Sequence, residues 1–153
     1  MRPSLLLLAV LFACARPDEP VLSAAHQRAL SDTVLTLFDS LAAIHRDHPD
    51  SALLHRLHPD ADTVLFVEGG NIERLTGDSL TRRVLAAHVP VSRMVQQFDS
   101  RSARILGPDA AIATARETVH WTDTSGEHHY EGWLTLGIER AGGRWVIRGY
   151  VGR

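Results

Sequence analysis

Few residues in this chain combine the type and spacing needed for chemistry, and the clearest is Glu117. Within residues 110–121 it shares strand parity with Ala111, Ala113, Ala115, Val119 and Trp121, while Ile112, Thr114, Arg116, Thr118 and His120 take the other parity. Alternate residues of a strand face the same way, so a strand here sets one carboxyl group among apolar side chains. Desolvation would raise its pKa toward the range useful for general acid–base work. Strand twist, a bulge or an arginine partner would instead make it an ordinary structural acid. Glu117 is thus the single weak candidate for catalysis, and both roles stay open.

The histidines are the other cluster. His45 and His48 are three residues apart, as are His55 and His58. That spacing puts each pair on one helical face, and two such pairs can build a metal site. His48 and His58 each precede a proline at an expected helix end, however, where an imidazole suits the C-terminal dipole. No cysteine lies nearby, and no metal is expected. His128-His129 falls at a hairpin and reads as solvated. Asp60 and Asp62 read as turn acids before a strand. Gly69-Gly70-Asn71 is a turn and not a phosphate loop, and the three tryptophans are packing residues, so no cofactor is expected.

Length and charge bound the rest. The 153 residues suit one domain. A net charge of -2, with all 16 basic residues arginine, gives no footprint for nucleic acid. Cys14 is the only cysteine, so no internal disulfide forms. It follows an apolar run, residues 5–13, of signal-peptide length. Leu11-Phe12-Ala13-Cys14 resembles a bacterial lipobox; Ala13-Cys14-Ala15 also fits an ordinary signal-peptidase site. The expected organisation is a signal peptide at 1–13, a lipidated Cys14 with a tether through 22, and a domain at 23–153. The expected location is the bacterial cell envelope, held by the lipid, with a soluble exported protein as the alternative.

The elements that would position these groups are readable. Leu30, Val34, Leu37, Phe38, Leu41 and Ile44 recur at helical spacing from near Ser23, and Pro49 stops that helix by His48. Asp50 caps a short helix carrying Leu53, Leu54 and Leu57, and Asp78 a third with Leu80, Val84 and Leu85. Residues 63–67 form a short apolar run. Beyond Pro90 the period becomes two, predicting strands at 91–106, 110–121, 130–140 and 144–151, separated by turn residues. Helices first and hairpin-linked strands after predict an α+β fold with an antiparallel sheet.

That order resembles the nuclear transport factor 2-like (SnoaL-like) superfamily. The motifs carrying the likeness are residues 58–66, HPDADTVLF; residues 77–80, GDSL; residues 105–111, ILGPDAA; and residues 143–147, GRWVI. The resemblance implies a cone over residues 23–153: a long N-terminal helix and two shorter helices packed on a strongly curved, mainly antiparallel sheet, with an apolar pocket inside. The superfamily includes isomerases, dehydratases, cyclases and members without known activity, so the fold does not fix the function. Ketosteroid-isomerase relatives donate to an oxyanion from a tyrosine of the long helix, and this helix has none. Many SnoaL-like sequences carry a histidine after Trp-x-Ile of the last strand; here the same-parity positions are Gly149 and Val151.

Three functional readings follow. The first is a membrane-tethered domain binding a small apolar molecule, with a wall of Phe38, Met94, Trp121 and Tyr130 and Glu117 as polar anchor. The second is an acid–base enzyme of isomerase, dehydratase or cyclase type. The third is a structural module, with Trp133 on the polar side of its strand marking a homodimer contact through the sheet. A pocket with a polar pair at its base favours the enzyme, an open apolar pocket favours binding, and a filled cone favours the structural role.

Overall fold

The structure is a computed structural model that describes residues 22–44, 46, 50–59 and 62–152. Cys14, the apolar run before it, His45, His48 and Asp60 lie outside the described residues.

Three helices and six strands follow in the order α1 (Ala24–Ile44), α2 (Ser51–Leu57), β1 (Thr63–Glu68), β2 (Asn71–Thr76), α3 (Gly77–His88), β3 (Arg93–Gly107), β4 (Ala110–Asp123), β5 (Gly126–Ala141) and β6 (Arg144–Gly152). The helices pack on one curved, open sheet, and the fold is α+β. Strand order is β2-β1-β6-β5-β4-β3. Every pairing is antiparallel except β1 with β6, which is parallel.

The apolar stripe of α1 works as its spacing predicts: Val34, Leu37, Phe38, Leu41 and Ile44 are all buried. They pack on β3 and β4 against Phe98, Ala111, Ala113 and Ala115. The small alanines of β4 let the helix approach the sheet closely. Asp50 caps α2 by accepting from Leu53 N at 3.1 Å. The cap of α3 differs from the expectation. Thr76 takes that place, accepting from Ser79 N at 3.2 Å, while Asp78 sits in the first turn and pairs with Arg82 at 3.0 Å. Threonine ends β2 in an extended conformation, which is the backbone state a cap requires.

Gly77 is held where no side chain fits. A Cβ there would lie 2.2 Å from the Pro59 carbonyl oxygen and 2.5 Å from that of His58. The start of α3 therefore presses directly on the backbone that carries His58.

Two of the register shifts in the sheet re-aim its strands. In β3 the register shifts between Asp99 and Ser102, where Ser100 has φ 49, and Arg101 ties this kink to α1 through Asp39 at 2.5 Å. In β6 the pairs Gly137↔Gly149 and Ile138↔Ile147 leave Arg148 as an extra residue. The bulge overturns the expected parity of the last strand. Ile147 and Tyr150 are buried, and Val151 is exposed. Arg148 bridges Asp62 at 2.5 Å and Glu139 at 2.7 Å, which makes Asp62, just before β1, a structural acid.

Candidate functional site

The concave face of β3, β4 and β5 is built in rows. Met94 pairs with Trp121 and Trp121 with His128; Gln96 pairs with Val119 and Val119 with Tyr130; Phe98 pairs with Glu117 and Glu117 with Gly132. Alternation brings all of these to one face. Gly132, without a side chain, leaves space beside Glu117.

Two adjacent chambers open on this face. The outer one, about 390 Å³, is lined by Met94, Glu117, Val119, Trp121 and Tyr130, with Glu68 and Gly152 at the end of the β1–β6 pair. The inner one, about 180 Å³, lies under the helices. Leu41, Ile44, Leu54, Leu80 and Val84 form its apolar roof, and its polar groups are His58, Gln96, Glu117 and Tyr150. Glu117 and Leu134 line both, so the carboxyl group stands at the junction. Among the described residues no arginine lines either chamber.

Of the five residues expected at the ligand, four are together here: Met94, Glu117, Trp121 and Tyr130. Phe38 is not with them. It is fully buried in the closed part of the core, 5.0 Å from the Phe98 ring and beneath the Arg101 guanidinium. A phenylalanine on the apolar stripe of α1 is used up by sheet packing where the helix is closest to β3.

Burial raises the pKa of Glu117; its hydrogen bond from the Gln96 amide lowers it, and the charge of Glu68 raises it again. An ionised carboxylate only accepts, so the Gln96 Nε2 must face it. The amide oxygen then turns away, and it is buried without a partner. Tyr130 is also raised, by burial and then by the charges of Glu117 and Glu68.

Two polar residues of the inner chamber escape a reading of the sequence. His58 is not an exposed helix-end histidine. It is 1% exposed, and burial lowers its pKa to about 4, so the ring is neutral. Its Nδ1 lies 3.1 Å from the Leu54 carbonyl oxygen, which can only accept. Nδ1 therefore carries the proton, and Nε2 is left to accept the hydroxyl hydrogen of Tyr150. Tyr150 also stacks on Phe66, with ring centres 4.7 Å apart, and its hydroxyl is raised in pKa by burial and by Glu117. The proline after His58 hides its burial. The bulge at Arg148 hides Tyr150, since parity counted from Trp145 points to Gly149. His55, the other member of the expected pair, is half-buried.

Outside the chambers the remaining candidates are surface features. His128 stacks on Trp121 and pairs with Asp123 at 3.0 Å, at the tight β4–β5 turn. Two hydrogen bonds from Ser125 are the largest cause holding the Asp123 carboxyl well below the usual range. His120 and His129 are cross-strand neighbours on the convex face, and Trp133 is 48% exposed there. Among the described residues no helix is long and apolar enough to cross a membrane.

Among solved structures, this chain is similar to the Kfla4162 protein of Kribbella flavida, with a TM-score of 0.72 at 15% identity over 85% of this chain and 91% of that one. It is similar to a nuclear transport factor 2 (NTF2-like) superfamily protein of Salmonella enterica, with a TM-score of 0.64 at 12% identity over 83% and 89%. It is also similar to the association domain of CaMKII from C. elegans, with a TM-score of 0.58 at 21% identity over 79% and 92%. At such identities the likeness is one of fold. No curated protein matches at a significant level. A family model described as SnoaL-like domain matches residues 34–152. Covering most of the chain, that match makes this protein a member of the SnoaL-like domain family.

Proposed function

We propose that the domain binds a small, largely apolar molecule in the two chambers, with the polar end of the ligand at Glu117, and that Cys14 tethers it to the bacterial cell envelope. The observation that carries the binding reading is the position of Glu117. It is a partly desolvated carboxyl at the junction of two chambers, and no arginine lines either one among the described residues. Apolar walls supply affinity through buried area, and a few polar groups fix orientation. The tether rests on the apolar run at 5–13 ending at the lone cysteine.

A second reading, acid–base chemistry on the same ligand, is favoured by the raised pKa of Glu117. In that reading the carboxylate takes a proton from one substrate atom and returns it to another. Binding ranks first because, among the described residues, the one hydroxyl lining the inner chamber is not free for a developing oxyanion: the Tyr150 proton goes to His58.

Ligand-detected NMR against a mixed apolar library tests the reading, with wild type and Glu117→Gln side by side. Hits that weaken in the variant support it. Hits that bind both proteins equally remove Glu117 as the anchor.

A further inference from the structure

Three polar groups of the inner chamber offer hydrogen-bond acceptors: Glu117, Gln96 and Tyr150. An ionised Glu117 accepts only. The Gln96 amide, fixed by donating to Glu117, leaves its Oε1 buried and unpartnered. Tyr150, which is 8% exposed, gives its hydrogen to His58, so its remaining valence at the chamber is a pair of lone pairs. His58 itself has both nitrogens engaged, by Leu54 and by Tyr150. At the mouth Glu68 adds a second carboxylate close enough to raise both Glu117 and Tyr130.

Nothing of opposite charge answers them. The chain has no lysine, and among the described residues no arginine lines either chamber. Two arginines of the sheet are engaged elsewhere: Arg101 with Asp39 over Phe38, and Arg148 with Asp62 and Glu139. Meanwhile the outer walls are aromatic, formed by Trp121 and Tyr130 with the pliable side chain of Met94. Two carboxylates, unfilled acceptors and aromatic faces are complementary to a cation with an apolar body. An anionic ligand would meet like charge at Glu117 and Glu68.

Resting on the binding reading above, we infer that the ligand is an organic amine, bound as its ammonium ion. The ammonium group sits at the Glu117 carboxylate beside the Tyr150 hydroxyl oxygen, and the apolar body lies toward Trp121 and Tyr130. Its N–H bonds satisfy the desolvated carboxylate, which a neutral apolar molecule leaves unmet.

Three small probes that differ mainly in the terminal group separate the possibilities: 2-phenylethylamine, 2-phenylethanol and 3-phenylpropanoate. Each is titrated by calorimetry at neutral pH into wild type, Glu117→Gln and Glu68→Gln, with circular dichroism to verify folding. The amine should bind at least about tenfold more tightly than the alcohol, the factor expected of one partly screened ion pair, and the propanoate weakest of all. Glu117→Gln should bring the amine down to the level of the alcohol, and Glu68→Gln should lower it by a smaller factor. Should Glu117→Gln fail to fold, the loss in Glu68→Gln carries the test, because that residue is at the mouth and clear of the core. An alcohol or carboxylate that binds as well as the amine overturns the inference while leaving the pocket intact. So does an amine that fails to bind at millimolar concentration; the binding reading itself falls only if the wider apolar library also yields no hit.

Discussion

Acidification should expose the buried His58. The ring titrates at about 4 in the folded protein, because burial disfavours its charged form. In the unfolded chain it titrates near the ordinary value of about 6.5. Above that value the ring is neutral in both states and contributes nothing to the pH dependence. As pH falls below it, the unfolded chain takes up a proton that the folded protein refuses, and stability is lost at about 1.4 kcal/mol per pH unit. The loss levels off near pH 4, where the folded ring also protonates, and amounts to about 3 kcal/mol in all. Glu117 works in the opposite sense, since a raised carboxyl binds its proton more readily in the folded state, which gains relative stability as pH falls. The wild-type curve therefore mixes two slopes, and a difference measurement is needed. In His58→Gln the side-chain amide oxygen can still accept from Tyr150 but does not titrate. Urea denaturation of both proteins between pH 7 and pH 4 should show the wild type losing about 3 kcal/mol relative to the variant. Parallel curves would refute a neutral, buried ring, and with it the argument that the Tyr150 proton is committed to His58.

Three further outcomes follow from the same contacts. Gly77→Ala should cost about 1–3 kcal/mol by forcing a methyl group against the Pro59 and His58 carbonyls, read as a lower midpoint in denaturant; an unchanged midpoint would mean that α3 is free to move away. Glu117→Gln should raise the melting temperature at neutral and alkaline pH, because it removes a carboxylate that burial penalises, and the gain should shrink as pH falls toward the ordinary carboxyl range; a variant less stable than wild type at every pH would show that the charge is well solvated. Expressed in a bacterium with residues 1–22 intact, the protein should partition into detergent and take up a fatty-acid probe, and Cys14→Ser should do neither; mature protein that is soluble and begins at Arg16 would contradict lipidation.

What the sequence makes legible is governed by how far a pattern runs without interruption. The stripe from Val34 to Ile44 repeats at three and four, and each of its buried positions follows from that period. The alternation through β4 runs unbroken from Ala111 to Trp121, so the face occupied by Glu117 can be counted from its alanines. The count fails in β6 because one extra residue, Arg148, flips everything after it, and no composition signal marks that bulge. Tyr150 is lost to the reader for this reason alone. β2 escapes as a strand because it is an edge strand whose residues are mostly exposed, so that no apolar alternation is imposed on it. The parallel contact of β1 with β6 joins segments about 80 residues apart and leaves no local trace. Gln96 could be placed on the concave face by parity with Met94, but its role appears only once the pairing of β3 with β4 brings it to Glu117.

The central claim is that a small molecule occupies the chambers with its polar end at Glu117, and the most direct measurement is where a bound molecule sits. A crystal structure of the domain with the tightest hit from the ligand screen would show it. The ligand should lie along Trp121 and Tyr130, with a polar atom within hydrogen-bond distance of the Glu117 carboxylate and its end directed toward Tyr150 and Gln96. A hit found on the convex face near Trp133, with both chambers empty or closed by side chains, would contradict the claim.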